Sequence, residues 1–122
     1  MFVRAVDEPH AIRQAWQRLE MGIGALAGRK FFGAFDVGAS EYRACVQIRD
    51  RDDPKALGFE SATLPGGMYV RARLRGEPPG VYEQIGPTFA ALTRQAVADE
   101  TRPSIEVYRR RDEIDLLLPV RG

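Results

Sequence analysis

The chain has 122 residues, of which 44% are hydrophobic and 29% charged, and a formal net charge of +1. That is the length of one domain with a real core. The even charge balance argues against direct nucleic-acid binding, and the longest apolar runs, such as "IDLLLPV", are too short to span a bilayer.

One cysteine, Cys45, rules out an intrachain disulfide and fits a reduced cytoplasmic compartment. "MFVRAVDEPH" lacks the apolar stretch of a secretory signal. After it comes a helical pattern, "HAIRQAWQRLEMGIGAL", in which Ile12, Trp16, Leu19, Ile23 and Leu26 make one apolar stripe. Pro9 suits its first turn and Gly28 its end. Two strands follow, "KFFGAFD" and "EYRACVQI", with Gly38 between them as in a hairpin.

Residues 51–66 read as a linker. Its first part is a charged loop with Pro54, and "FESATLP" reads as a short edge strand before the turn at Pro65, Gly66 and Gly67. Then "MYVRAR" echoes the opening "MFVRAV". A second helical pattern follows, with a stripe of Val81, Ile85, Phe89, Leu92 and Ala96, which Pro87 kinks or delays. Two more strands, "SIEVYRR" and "EIDLLLPV", close the chain around a charged turn.

The order strand–helix–strand–strand thus occurs twice, with a period of about 70 residues. Residues 1–50 form the first repeat and 67–120 the second. Each half is too small to bury its apolar faces alone, so the two pack as one α+β domain with a mainly antiparallel sheet and two helices.

Glu106, in the middle of "SIEVY", is the most informative residue. Alternation sets Ser104, Glu106 and Tyr108 on one face and Ile105 and Val107 on the other. On the residues alone, Glu106 lies either on a half-exposed surface, free or paired with an arginine, or in a buried site. Burial costs an ionised carboxylate several kcal/mol unless it is paired, or raises its pKa. Glu83 and Glu113 are weaker carboxylate candidates, explained equally well by a helix face and a hairpin start. His10 and Cys45 form no zinc constellation, "GIGALAG" does not follow a strand as a phosphate loop must, and Cys45 reads as a small buried hydrophobe. No metal or cofactor is expected. The arginines of "YRRRDE" read as a solvated turn.

Four stretches in order, "LPGGMYVRARLRG", "VYEQIGPTFAAL", "RPSIEVYRR" and "EIDLLLPV", resemble the GyrI-like small-molecule-binding domain, which is also the effector-binding part of bacterial multidrug-responsive transcription activators. The resemblance spans roughly residues 57 to 120. It implies a duplicated strand–helix–strand–strand fold with a central cleft that takes lipophilic, cationic or aromatic compounds. It implies that Glu106 meets the ligand's positive charge, with Gly33 at the corresponding place in the first half.

Trp16, Phe31, Phe35, Tyr69, Tyr82, Phe89 and Tyr108 are the aromatics that could line that cleft, with Tyr69, Tyr108, Trp16, Phe35 and Tyr82 as the binding candidates, where cation–π attraction would add to the carboxylate. Two functions follow from the resemblance. One is a binding module for drug sensing or sequestration, or one acting on a protein partner such as gyrase. The other is a hydrolase of strained cyclopropane electrophiles, with Glu106 as general base beside Tyr69 or Tyr108. Both helical patterns are used by the repeats, so no helix-turn-helix segment remains and any regulation of transcription acts through a partner.

Overall fold

The computed structural model describes residues 1–121. Strand β1 (Phe2–Val6) leads into helix α1 (Pro9–Ile23), followed by strands β2 (Phe31–Asp36) and β3 (Glu41–Val46). A short helix α2 (Pro54–Leu57) interrupts the connection to strand β4 (Tyr69–Arg75). Helices α3 (Gly80–Glu83) and α4 (Ile85–Gln95) then precede strands β5 (Ser104–Arg110) and β6 (Glu113–Pro119). The fold is α+β, with the strand–helix–strand–strand order present twice, as the sequence predicts.

The six strands form one antiparallel sheet in the order β1-β3-β2-β5-β6-β4. Each half contributes three strands, and the halves join through β2 and β5. Gly33 and Glu106, expected as counterparts in the repeat, are direct cross-strand partners at this junction.

Alternation along the ladders gives the sheet two distinct faces. Both long helices pack on one of them. Under α1 lies a core of Val3, Ala15, Leu19, Tyr42, Ala44, Val46 and Phe59. Under α3 and α4 lies a second core of Leu74, Val81, Ile114 and Leu116. On the opposite face, Phe2, Ala34 and Cys45 are covered by Leu64 from the long β3–β4 connection. Farther across that face Asp115 is fully buried and held by Arg73 and Arg109. The run of arginines at 109–111 is therefore not wholly solvated, because its first member serves this buried carboxylate.

Several local expectations are corrected. Helix α1 ends at Ile23, where Gly24 takes a positive φ of 73° and donates its N–H to Glu20. It does not reach Gly28, and Leu26 lies outside the stripe, 43% exposed. At its start the Glu8 carboxylate accepts the N–H groups of His10 and Ala11. The second helical pattern divides at Gln84, which places Pro87 in the first turn of α4, where its missing N–H breaks no helical bond. "FESATLP" makes one bridge, Phe2 with Glu60, and no strand. Its edge position is filled by irregular chain.

Burial predicts how substitutions on α1 divide. Leu19 is wholly buried while Met21 is 84% exposed. Leu19→Ala should lower the unfolding free energy by about 3 kcal/mol and Met21→Ala by less than about 0.5 kcal/mol, as read by urea denaturation. Equal losses would contradict this placement of α1.

Candidate functional site

The two long helices pack over the outer strands of their own halves and leave a cleft above the β2–β5 junction. Its volume is about 410 Å3. Ile12 of α1 forms one wall and Ile85, Phe89 and Thr93 of α4 the other, with Phe35, Tyr42, Ser104, Glu106 and Leu118 on the floor. The site exists because strand alternation turns residues 104, 106 and 108 toward the helices at the place where neither helical core covers the sheet.

Glu106 is 9% exposed. Its Oε1 accepts two hydrogen bonds, from the Tyr42 hydroxyl at 2.7 Å and the Tyr108 hydroxyl at 2.6 Å. Trp16 Nε1 donates to the Tyr42 oxygen at 3.2 Å, so a chain of donors runs from α1 through β3 to the carboxylate. Among the described residues, no arginine, lysine or histidine forms an ion pair with Glu106, and no donor reaches Oε2. Of the two placements the residues leave open, the structure has the buried one, with neutral donors and no arginine on the carboxylate.

Burial pushes the Glu106 carboxyl above its ordinary pKa, and the hydrogen bonds from Tyr108 and Tyr42 only partly oppose this. Burial first, and the neighbouring carboxylate second, raise both tyrosine hydroxyls. Both therefore stay protonated and remain donors.

Glycine at position 33 is a steric requirement. A Cβ there would run into the Tyr42 hydroxyl and Glu106 Oε1, and would lie 2.9 Å from Tyr42 Cζ. The hydroxyl and the carboxylate occupy the space a side chain would take.

The six aromatic and acidic candidates divide. Glu106 and Phe35 line the cleft. Tyr108 and Trp16 lie beside it rather than in its lining, with ring centroids 5.5 Å apart in an edge-to-face pair. Tyr82 packs edge-on against Tyr108, with centroids 6.4 Å apart, and is 46% exposed outside the cleft. Tyr69 is not brought to the site. It projects from the opposite face, where its hydroxyl donates to the Pro65 carbonyl and its ring stacks under Arg102 at 4.8 Å.

Neither Glu83 nor Glu113 lines the cleft: Glu83 is exposed on α3, and Glu113 pairs with Arg73 and Arg75 at the hairpin. His10 is exposed beside Gln14. The buried Cys45 thiol is pushed up to about 11, mainly by burial, which leaves it a poor nucleophile.

Tyr42 is the main residue that sequence reasoning missed. Its signal lay in "EYRACV", where Tyr42 shares the buried face of Ala44 and Val46 and brings a hydroxyl that needs a partner. Ile12 and Ile85 were visible as helix stripes but not as cleft walls.

Among the described residues there is no cluster of His, Cys, Asp or Glu that could hold a metal, and no helix is long and apolar enough to cross a membrane. In comparisons with protein families, curated proteins and solved structures, nothing matches this chain.

Two measurements test the site. Gly33→Ala should destabilise the protein by about 1–3 kcal/mol through overpacking, and the loss should be smaller in a Tyr42→Phe background, which removes one of the atoms the methyl strikes while Glu106 Oε1 and the ring carbon remain. Additive effects in the double variant would rule out this contact.

The second concerns pH. A raised carboxyl pKa means that folding favours the protonated form. Stability from this group is full below its ordinary value of 4.5 and is lost as pH rises through the raised value. Glu106→Gln cannot ionise and escapes that loss. Its Tm relative to wild type should therefore climb from pH 4.5 toward neutrality, and a difference that stays flat would deny the shift.

Proposed function

We propose that the protein is a small-molecule-binding domain for lipophilic cations, serving to sense or sequester them in a reducing cytoplasmic setting. One observation carries the reading: a buried carboxylate without a cationic partner stands on the floor of a largely apolar cleft. Leaving such a charge unpaired costs several kcal/mol. A bound cation would supply the missing partner at the free Oε2, while Phe35 and Phe89 cover its apolar body. A volume of about 410 Å3 is within the usual range for a drug-sized ligand.

The resemblance to the GyrI-like domain supports the same reading, and through it a role in a drug-responsive regulatory system or on a protein partner. The cleft differs from the expectation in its aromatic set, with Tyr42 in place of Tyr69.

Isothermal titration with tetraphenylphosphonium and with neutral triphenylphosphine oxide tests it. Wild type should prefer the cation, and Glu106→Gln should weaken cation binding about tenfold or more while leaving the neutral compound nearly unchanged. Wild-type affinity for the cation should rise with pH as Glu106 ionises. Equal cation affinity in the variant would remove Glu106 from the site.

A second reading rests on the same raised pKa. Glu106 would act as general base toward water in hydrolysis of a strained cyclopropane electrophile, with Tyr42 and Tyr108 beside it. It is less favoured because both hydroxyls already donate to Oε1. Turnover of such a compound by wild type, absent in Glu106→Gln, would establish it.

A further inference from the structure

The lining of the cleft carries further carboxylates besides Glu106. Beyond Glu106, Trp16 and Tyr108 pack edge-to-face and do not line the cleft. From Glu106 the floor runs outward through Ser104, which pairs with Phe35. It ends at a mouth lined by Asp7, Asp99, Glu100 and Arg102.

The charges at this mouth are unequal. Asp99 is paired twice, with Arg102 Nε donating to it at 3.1 Å and the exposed Arg121 standing 3.9 Å from its other oxygen. The rest of the Arg102 guanidinium is committed away from the cleft, since it donates to the carbonyls of Gly66, Met68 and Val120 and lies over the Tyr69 ring. Asp7 and Glu100 are exposed and form no ion pair among the described residues. The lining therefore holds one buried unpaired carboxylate at depth and two exposed ones at the mouth, separated by Ile12, Phe35, Phe89 and Leu118. Position 104 alone is about 7 Å along the strand from position 106, and the mouth lies beyond it.

We propose that the preferred ligand is a dication: two positive groups joined by an apolar spacer, one seated at Glu106 and the other at Asp7 and Glu100. The inference rests on the cation-binding reading above and specifies its ligand class. The inner charge is desolvated and dominates affinity. The outer one stays in water, so its contribution is smaller and sensitive to salt.

The test is calorimetric titration with a bis(trimethylammonium)alkane and with the alkyltrimethylammonium of equal chain length, on wild type and on the Asp7→Asn/Glu100→Gln double variant. Both substituted positions are exposed, so the variant should melt as wild type does. Wild type should bind the dication about threefold to tenfold more tightly at low salt. The advantage should shrink at high salt and disappear in the double variant, whose affinity for the monocation should be unchanged. Monocation binding equal to or tighter than dication binding in wild type would overturn the dication inference and leave the binding reading standing. A dication advantage that survives in the double variant would overturn the assignment of the outer charge to Asp7 and Glu100. Failure of wild type to bind either compound would overturn both readings.

Discussion

Two tyrosine hydroxyls holding one carboxylate oxygen organise the centre of this molecule. Glu106 stands where the halves meet, between a core under α1 and a core under α3 and α4. Tyr42 reaches it from the first half and Tyr108 from its own strand, with Trp16 fixing Tyr42 from above. Each hydrogen bond to an ionised group is worth about 1.5–3 kcal/mol, and together they offset part of the several kcal/mol that burial of the charge costs. The remainder appears as the raised pKa. The arrangement also dictates glycine at position 33, because the hydroxyl and carboxylate fill the place of its side chain.

Asp115 makes an instructive contrast. It lies on the adjacent strand, opposite Val107, and points to the other face. It too is buried, yet Arg73 and Arg109 hold it and depress its carboxyl to about 2. The same sheet thus carries two buried carboxylates with opposite solutions. One is neutralised within the protein by cations on neighbouring strands. The other meets only neutral donors and keeps one oxygen free. Arginines are plentiful on the helix-free face and lacking beside Glu106, so the difference lies in which face each strand position is given. An internal salt bridge stabilises structure. A carboxylate without one stays available to a partner from outside.

The packing of the halves accounts for the cleft itself. Each helix covers the strands of its own half, and the central pair β2 and β5 lies between them. Beside the cleft, Trp16, Tyr108 and Tyr82 make edge-to-face aromatic contacts. Away from these rings the lining includes Asp7, just before α1, and Asp99 and Glu100 from the irregular segment before β5.

Much of the fold was legible in the chain. Helix stripes, paired strand patterns and the repeated order gave the α+β class and the two halves, because period 3.6 and period 2 are local properties that a sequence displays directly. The boundary error had a local cause, since Gly24 ended α1 before Gly28, whereas Pro87 does delay the second helix, whose long part starts at Ile85. The site was legible only in part. Glu106 stood out as a charge among apolar neighbours, and Trp16, Tyr108 and Phe35 do lie in or beside the cleft. Tyr69 and Tyr42 exchanged places in the reading, since alternation gives relative faces but not which face meets the helices. That choice depends on the pairing of β5 with β2 and on both helices packing on one side. Position in sequence determined which side chains share a face. Only the tertiary structure decided that one face would hold a carboxylate with no cation, because that depends on where residues some sixty positions apart come to lie.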